Sequence, residues 1–404
     1  MIVGIIGGGA SGMAAALAAA KNPNTQVILL ERQARLGRKL LATGNGRCNL
    51  TNLHTGVSRY HGNSSHFVCP ALENLDVAAT LQWFESLGLL TVAEDSGKVY
   101  PYSDQANSVV DVLRLALQQE NIEIRTGYEV TKVRRCGNSF ELSDGESPVR
   151  CDKLIIACGG LAGSKLGGSL WGYKLLKKFG HSSTPLRPAL VQLKTSWPGI
   201  TALKGVRANC TARIFREDTL FAESTGEVQF TEYGLSGPVI FEISRDVCYG
   251  GGSWVCRLDL LPQLSEEKLY SLLCQKRYTV LNADELLTGI LHNRLGRVVT
   301  KEAGISGSSP ISHLSDEALQ AVCRIAKDFA IDLTETLGMD SAQVTAGGVV
   351  TDEFDPKTME SRLIPGLFAC GEVLDIDGDC GGFNLQWAWS SGYAAGSYAG
   401  KERL

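Results

Sequence analysis

"IVGIIGGGASGMAAALAAAKNPNTQVILLER", residues 2–32, decides the fold of this chain. It opens on a continuous apolar run, residues 2–6, which is typical of a strand buried on both faces of a parallel sheet. A glycine-rich turn and an alanine-rich helical segment follow, and Asn22-Pro23-Asn24 ends the helix before a second apolar strand. The segment therefore predicts a βαβ unit and an α/β fold.

The turn of this unit has the spacing G-x-G-x-x-G, with Gly7, Gly9 and Gly12 between strand and helix. Glycines there allow a tight turn and a close approach of backbone N–H groups to a pyrophosphate, and the helix N-terminus adds partial positive charge. Glu31 ends the second strand, where a carboxylate accepts hydrogen bonds from ribose hydroxyls and disfavours a 2′-phosphate. The pattern predicts a site for FAD or NAD rather than NADP.

Two later segments favour FAD. "CDKLIIACGG" (151–160) is an apolar strand ending in a glycine pair, and "RLIPGLFACGEVLDIDGDCGGFNLQWAWSSG" (362–392) is a strand, a glycine-rich turn and a helix. In the FAD superfamily that includes glutathione reductase, similar strands return to the nucleotide-binding fold. By this similarity Gly371 and Glu372 lie beside the ribityl and phosphate part of FAD. The helix that follows directs its N-terminus at the isoalloxazine ring, where its dipole stabilises negative charge.

The loop "GRKLLATGNGRCNL" (37–50) is rich in glycine and in hydrogen-bond donors, a composition that suits contact with a ligand better than burial. Gly44 and Gly46 let the backbone pass close to the flavin. The predicted donors to its ring, ribityl chain or phosphates are Arg38, Lys39, Asn45, Arg47 and Asn49.

Cys48, in the same loop, has two interpretations. A reactive thiol needs a lowered pKa, which Arg47 and nearby amides could provide. A small packing residue needs nothing of the kind, and free cysteines are commonly buried and inert. We favour packing, because a flavin accepts a hydride without a protein nucleophile.

The middle of the chain has a different pattern. Residues 190–261 contain short β segments that predict an antiparallel barrel or sheet: "ALVQLKT", "VRANCTARIF", "GEVQFTEYG", "VIFEISR" and "WVCRLDLL". Three helical segments with polar starts follow: "LSEEKLYSLLCQK", "NADELLTGIL" and "LSDEALQAVCRIAKDF". The predicted domains are an FAD-binding domain (1–189 and 343–404), an inserted β domain (190–262 and 330–342) and a helical subdomain (263–329).

The bulk composition narrows the function classes. The net charge of −4 gives no electrostatic reason to expect nucleic acid or an anionic membrane as partner. No apolar run reaches the length of a membrane span. The twelve cysteines are scattered and the first residues already predict a strand, which favours reduced thiols and a cytoplasmic protein. The six histidines form no metal-binding pattern, so no metal is expected.

Four long motifs resemble the BaiN/YhiN-type flavoproteins, a family that includes aminoacetone-oxidase-like enzymes. They are "GRKLLATGNGRCNLTN", "LSGPVIFEISR", "TAGGVVTDEFDPKTMESRLIPGLF" and "CGEVLDIDGDCGGFNLQWAWSSG". The resemblance spans nearly the whole chain and implies FAD, three domains and redox activity. The stretch "LAGSKLGGSLWGY" (161–173) departs from the family pattern.

The predicted fold class is thus α/β, a Rossmann-like FAD-binding domain of the glutathione-reductase type with an inserted β-barrel-like domain and a helical subdomain. The residues expected to bind FAD are Gly7, Gly9, Ala10, Ser11, Gly12, Glu31, Arg32, Arg38, Lys39, Thr43, Gly44, Asn45, Gly46, Arg47, Cys48, Asn49, Val130, Ala157, Gly159, Gly371, Glu372, Asp375, Gly381, Gly382, Phe383 and Asn384.

No catalytic residue follows from the pattern. Tyr233, Ser236, Trp387 and Trp389 are candidates for a substrate pocket, although core packing is the simpler interpretation of the tryptophans. The loop histidines His54, His61 and His66 are candidates for acid–base work, but loop histidines without such a role are commoner.

The leading functional hypothesis is an FAD-dependent oxidoreductase that moves a hydride between a small organic substrate and flavin N5, as an amine oxidase of aminoacetone type does. The chain has no second G-x-G-x-x-G for a nicotinamide, which favours reduction by the substrate itself. The alternatives are an NAD(P)H-dependent reductase of conjugated double bonds, in which the nicotinamide docks transiently, and a flavin-dependent RNA-modifying protein. A non-catalytic flavin sensor is a third class.

Overall fold

The structure is a computed structural model that describes residues 1–249 and 252–401, without the side chains of residues 248 and 249. These residues form two compact units, Met1–Arg187 with Val344–Leu404 and Pro188–Gln343. The second unit is therefore inserted in the sequence between the two parts of the first. The predicted division of the inserted part into a β domain and a helical subdomain, with its boundaries, stays a prediction.

Both units contain strands and helices. The strands are β1 (Ile2–Ile6), β2 (Gln26–Glu31), β3 (Thr51–Asn52), β4 (Tyr60–His61), β5 (Thr91–Ala93), β6 (Lys98–Pro101), β7 (Ile122–Thr126), β8 (Lys132–Cys136), β9 (Ser139–Ser143), β10 (Val149–Cys151), β11 (Lys153–Ile156), β12 (Arg187–Ala189), β13 (Leu193–Thr195), β14 (Arg207–Arg216), β15 (Thr219–Phe230), β16 (Gly234–Ser236), β17 (Trp254–Asp259), β18 (Phe329–Thr336), β19 (Val344–Ala346), β20 (Leu367–Ala369) and β21 (Asp377–Gly378). The α-helices are α1 (Ala10–Ala19), α2 (Cys69–Asn74), α3 (Val77–Ser86), α4 (Ala106–Ala116), α5 (Trp171–Lys178), α6 (Pro238–Tyr249), α7 (Glu266–Lys276), α8 (Asn293–Glu302), α9 (Asp316–Lys327) and α10 (Phe383–Ala399).

A parallel sheet is the centre of the first unit. Its five strands have the order β20-β11-β1-β2-β7, and every neighbouring pair is parallel. β1 lies in the middle, with Val3 and Ile5 fully buried, and α1 connects it to β2. The Rossmann-type α/β fold predicted from residues 2–32 is confirmed, and the two segments expected to return to it supply β11 and β20.

Helices α1 and α10 pack against each other through backbone contact. Three small residues of one helix face three glycines of the other at the same four-residue spacing, in the pairs Ser11–Gly392, Ala15–Gly396 and Ala19–Gly400. A Cβ on any of these glycines would collide with the carbonyl oxygen of its partner. The residue numbers of the paired positions increase in the same direction along both helices. The helices are therefore parallel, and their N-termini point the same way.

The two helix N-termini are offset along this common direction. Gly382, at the N-terminus of α10, precedes Gly392 by ten residues, while Ser11 lies in the first turn of α1. Gly9, at the N-terminus of α1, precedes Ser11 by only two residues, so the offset is eight residues, and at about 1.5 Å per residue α10 begins about 12 Å beyond the start of α1. The first unit therefore presents two positive helix ends at two positions along one line.

The second unit is built on a closed six-stranded barrel in the order β13-β16-β15-β14-β17-β18. β13 closes it by pairing with both β16 and β18. Apolar side chains of the barrel and of α6, α7, α8 and α9 share one hydrophobic cluster. The predicted β-barrel-like insertion is confirmed as part of the fold.

One predicted strand of this unit is wrong. "VIFEISR" lies in α6, which begins at Pro238 directly after Gly237. Its buried apolar residues are Val239, Ile240, Ile243 and Val247, an i, i+1, i+4, i+8 spacing that covers one face of a helix. The β-branched residues suggested a strand, but packing of this face decides the conformation.

The helix predicted for "NADELLTGIL" is also wrong. The capping box of Asn282 and Glu285 is present, as the polar start suggested, but it caps only a single 3₁₀ turn, Ala283–Glu285. Gly289 then adopts a left-handed φ of 82°, which ends any continuation. The helix of this region is α8, Asn293–Glu302, which the sequence patterns did not indicate. The other two predicted helices are α7 and α9, capped by Ser265 and Ser315.

Candidate cofactor site

The G-x-G-x-x-G turn uses its glycines for two purposes. Gly7 has φ 110°, and a Cβ there would collide with the carbonyl of Ala157 on the neighbouring strand segment. A Cβ on Gly12 would collide with the Gly7 carbonyl. Gly9 is different, since a Cβ at this position meets no atom within 4 Å. Two glycines thus close the turn, and the third keeps a space open at the start of α1.

That space suits a phosphate. Gly9 caps α1 without a side-chain hydrogen bond, and the first turn of the helix contains no acid. The first backbone N–H groups of a helix have no intrahelical acceptor, so they are available to an anion. Ala10 and Ser11 lie in this turn, and Ser11 also contacts Gly371, where a Cβ would lie 2.6 Å from the Ser11 Oγ. A Cβ on Gly159, with φ 69°, likewise meets open space.

Glu31 is held at the carboxyl end of β2 by two backbone donors. Its Oε2 accepts a hydrogen bond of 2.7 Å from the Gly8 N–H, and its Oε1 accepts one of 2.8 Å from the Gln33 N–H. Each oxygen keeps lone pairs for a further donor. The carboxylate is therefore fixed in orientation and able to accept ribose hydroxyls. The neighbouring Arg32 is directed away and donates to the Gly167 carbonyl at 2.8 Å.

The loop expected to follow the flavin is compact and irregular. Leu40–Gly46 is a distorted 3₁₀ segment in which Thr43 is extended and Gly44 and Asn45 are left-handed. Asn45 and Gly46 are exposed at its tip. Arg38 is also exposed and donates to the Gln33 side chain at 2.7 Å. The loop thus exposes part of the predicted donor set and folds the rest against the protein.

Arg47 already has protein partners. Its guanidinium pairs with Asp104 and, at 3.0 Å, with Glu94, and it lies 3.8 Å above the ring of Tyr100. The hydrogen bond to Asp104 is the main cause that raises the pKa of Arg47. Two carboxylates thus balance this cation, which leaves it little reason to neutralise a phosphate.

Lys39 and Glu372, both predicted to bind FAD, pair with each other. The Lys39 Nζ lies 2.8 Å from the Glu372 Oε2, and the Glu372 Oε1 accepts the Thr345 N–H at 2.9 Å. Both side chains stay partly exposed, at 31% and 19%. This pair places a fixed carboxylate and a shared cation near Gly160, whose Cβ would collide with Glu372.

A second polar group surrounds the N-terminus of α10. Gly381 and Gly382 have φ of 123° and 105°, and a Cβ on Gly382 would crowd the Thr51 carbonyl at 2.5 Å. Asn384 fixes the preceding turn by accepting the Gly378 N–H at 2.8 Å and donating to the Gly378 carbonyl at 2.7 Å. The Asn49 Oδ1 is buried here without a hydrogen-bond partner among the described residues. An orphaned acceptor beside a helix N-terminus is the kind of feature that a bound ligand satisfies.

Cys48 is fully buried at a left-handed φ of 61°, and burial raises the pKa of its thiol to about 12. The same cause raises the pKa of Cys158 and of Cys370 to about 12. Such thiols stay protonated at neutral pH. The preferred interpretation of Cys48 as a packing residue agrees with this environment, and the other cysteines of the cofactor strands have the same character.

The remaining predicted residues take structural positions. Val130, Ala157 and Asp375 are buried, and Asp375 accepts the Asn63 N–H at 3.2 Å. Trp387 and Trp389 are core residues whose indole N–H groups donate to the carbonyls of Gly371 and Leu50 at 3.2 and 3.0 Å. Of the loop histidines, His61 pairs with Asp379 at 2.7 Å. In the second unit, Ser236 is buried and Tyr233 is half-buried.

Gln386, a buried amide that the sequence analysis missed, connects α10 to β3, to the end of α2 and to α3. The Gln386 Oε1 accepts from the Thr51 hydroxyl at 2.5 Å. Its Nε2 donates to the Leu75 carbonyl at 3.0 Å and to the Thr80 hydroxyl at 2.8 Å. The fourth partner is the Ser390 hydroxyl, which accepts from the Nε2 at 2.9 Å, and all four partners of this fully buried side chain come from the first unit. A glutamine in an otherwise apolar helix stretch was the available signal.

Within the described residues, no group of histidine, cysteine and acidic side chains could hold a metal ion. No helix in the part of the chain that the structure describes is long and apolar enough to cross a membrane.

The family model described as HI0933-like protein Rossmann domain matches residues 1–398. The chain is 39% identical over 403 residues to the 3-dehydro-bile acid delta(4,6)-reductase of Clostridium scindens, with 98% of each chain covered. With the fold and the site above, these matches define the class as that of the FAD-dependent oxidoreductases. The chain belongs to the HI0933-like family of FAD-binding Rossmann proteins, which confirms the predicted family.

Two further similarities are informative. The chain is 32% identical over 395 residues to the ribosomal RNA dihydrouridine synthase of Escherichia coli, with 96% of each chain covered. Among solved structures it resembles 3-ketosteroid delta1-dehydrogenase from Sterolibacterium denitrificans, with a TM-score of 0.50, 11% identity and coverage of 98% of this chain and 99% of that one. At this identity the structural likeness concerns the fold alone.

Proposed function

We propose that this protein is an FAD-dependent reductase of a carbon–carbon double bond conjugated to a carbonyl group, with NAD(P)H as a transiently docking electron donor. The observation that carries the proposal is the near-full-length similarity to a reductase named for the delta(4,6) bonds of a 3-dehydro-bile acid. The name of the dihydrouridine synthase relative describes the same type of reaction on a different substrate, because uridine also has a double bond conjugated to a carbonyl.

The first unit fits the proposed cofactor. The open space at Gly9 and the uncapped start of α1 would receive the pyrophosphate. The fixed Glu31 carboxylate would accept the adenosine ribose hydroxyls. About 12 Å further along, the N-terminus of α10 and the orphaned Asn49 Oδ1 would face the isoalloxazine ring, whose N3–H is a donor. The remaining cofactor contacts predicted from the sequence are part of this proposal, except a phosphate contact of Arg47, whose charge two carboxylates already balance.

FAD, when bound, supplies a hydride acceptor and donor, which amino-acid side chains lack. The protein's own contribution is to hold the ring against a positive helix end and to keep reactive thiols away from it. Cys48, Cys158 and Cys370 stay protonated, and Cys48 and Cys370 are buried as well, so they add no competing nucleophile.

The charge of the chain favours a small substrate over RNA. A protein that binds RNA through its phosphates needs a basic surface, whereas this chain has 39 basic and 43 acidic residues. We therefore propose a small, mainly apolar carbonyl compound as substrate. Modification of ribosomal RNA remains the second candidate, because of the 32% identical relative. Amine oxidation of aminoacetone type stays a prediction from the sequence.

The experiment is to reduce the purified holoprotein photochemically without oxygen and to mix it with candidate acceptors in a stopped-flow instrument. A steroid with a 3-oxo-4,6-diene should reoxidise the flavin, and mass spectrometry should find a product heavier by two hydrogens. The matched control is the same steroid without the double bonds. A uridine-containing ribosomal RNA fragment is the second arm, and aminoacetone added to the oxidised protein is the third.

The three arms of this experiment distinguish three functions. Reoxidation by the diene, but not by the saturated control, supports the proposal. Reoxidation by the RNA fragment alone would move the function to RNA modification. Bleaching of the oxidised flavin by aminoacetone, with no reaction of either acceptor, would replace the proposal with an amine oxidase.

A further inference from the structure

Lys98 is a cation beside the N-terminus of α10. It lies in β6, where Val99 points into the core, so that Lys98 and Tyr100 share the opposite face. The Lys98 Cε lies 3.3 Å from the position of a Cβ on Gly381. Its Nζ makes no hydrogen bond or ion pair with any residue in the described part of the chain. Lys98 differs in this from Arg47 and Lys39, which both pair with acids.

The surroundings of Lys98 are fixed to the same turn. β6 pairs with β3, with Asn52 opposite Lys98, and the Asn52 Nδ2 donates to the Gly381 carbonyl at 2.9 Å. Gly382 caps α10 without a side-chain hydrogen bond, and the first turn of α10 contains no acid. The N-terminus of α10 and the Lys98 ammonium group therefore both place positive charge beside this turn.

An independent observation indicates that this place takes a ligand. Asn49 is 92% buried, its Oδ1 has no partner in the described residues, and this oxygen lies 2.9 Å from the position of a Cβ on Gly382. A buried acceptor without a donor is destabilising unless a ligand satisfies it. The ligand must then offer a donor to Asn49 and tolerate or carry negative charge near Lys98.

We propose that Lys98, together with the N-terminus of α10, compensates the negative charge of the reduced flavin ring and thereby sets its reduction potential. The inference rests on the proposed placement of FAD. A hydride brings two electrons and one proton, so its transfer to the neutral oxidised ring leaves one negative charge on that ring. Lys98 stabilises the reduced ring more than the oxidised ring, and the potential rises accordingly.

The test compares Lys98→Met, Lys98→Arg and the control Lys132→Met. Lys132 is an exposed strand lysine of the three-stranded sheet β10-β9-β8, away from the turn. Two quantities are measured on each holoprotein: the affinity for sulfite, which adds to oxidised flavin and leaves negative charge on the ring, and the midpoint potential by dye equilibration. Neither quantity depends on NAD(P)H or on the physiological substrate, so the proposed function could fail while this inference stands.

Lys98→Met should weaken sulfite binding about tenfold or more and lower the midpoint potential by about 30 mV, the equivalent of tenfold for a two-electron couple. Lys98→Arg should stay close to the unmodified protein, and Lys132→Met should not differ from it. If Lys98→Met loses its flavin, Lys98→Gln, which keeps a polar side chain, is measured in its place. A potential unchanged in the neutral variant, or an equal loss in the methionine and arginine variants, would overturn the inference.

Discussion

At the scale of single residues, the three glycines of the G-x-G-x-x-G turn are not equivalent. Gly7 and Gly12 are required because a Cβ would collide with backbone carbonyls of the protein itself. Gly9 is required by nothing in the protein, since a Cβ there would point into empty space. The motif alone does not distinguish these roles, and only the Gly9 position reports on the ligand.

This difference leads to a prediction for Gly9→Val. The variant should fold with the stability of the flavin-free protein but retain less than about a tenth of the normal FAD, because the side chain occupies the phosphate approach. Flavin absorbance of the purified protein and thermal unfolding measure the two effects. Gly12→Val should instead be unstable, because its collision is with backbone.

The matched control for this prediction is Gly56→Val. Gly56 also faces open space and has an extended φ of −167°, which valine tolerates. It should keep its flavin. Full flavin content in Gly9→Val would contradict the placement of the pyrophosphate.

The candidate site could be predicted from the sequence only in part. Residues whose role is local, such as Gly7, Glu31 and Asn49, stand out because they lie in a recognisable strand–turn–helix or glycine-rich pattern. Pairing between distant residues leaves no such signal. Lys39 lies 333 residues from Glu372 in the sequence, and Thr51 lies 335 residues from Gln386. The sequence pattern does not indicate Lys98 for the same reason, because only the pairing of β3 with β6 brings this residue close to α10.

At the scale of elements, the contact of α1 with α10 aligns the two helix ends that we assign to the two parts of FAD. The contact depends on glycine, because the carbonyls of α1 approach the backbone of α10 too closely for any side chain. Helix α10 therefore has a fixed register on α1. A change at this contact should act on both ends of the cofactor at once.

Gly396→Leu tests this contact. Its side chain would collide with the Ala15 backbone, which cannot move aside without shifting α1. Overpacking of this kind typically costs about 1–3 kcal/mol, and the melting temperature should fall by about 2–6 °C. Differential scanning calorimetry measures it. Ser397→Leu, on a partly exposed position of the same helix, is the control and should melt close to the unmodified protein. Equal melting of both variants would show that α10 tolerates a different register.

The elements themselves were predictable where their pattern is unambiguous. β1, α1 and β2 combine a continuous apolar run, an alanine-rich segment and a clear stop, and no packing information is needed to place them. α6 was mistaken for a strand because Val239, Ile240 and Ile243 have high β propensity, while its helical spacing becomes decisive only against the barrel cluster. Local preference fails where tertiary packing competes with it.

At the scale of the whole molecule, the chain combines a Rossmann-type unit that holds every predicted cofactor residue with an inserted barrel unit. The class of FAD-dependent oxidoreductase follows from the first unit and from the family. The substrate does not follow from either, because folds of this kind serve many reactions. The composition adds one constraint, a net charge of −4 that disfavours a long nucleic-acid partner.

The most direct test of the proposed reductase is the reaction of the oxidised holoprotein with a nicotinamide in the absence of oxygen. The flavin absorbance near its long-wavelength maximum is followed after mixing with NADH and, separately, with NADPH. Our account predicts rapid and complete bleaching by at least one of them, and recovery of the absorbance when a conjugated carbonyl acceptor is added. If neither NADH nor NADPH bleaches the flavin, in a protein that dithionite still reduces, this result would contradict the account.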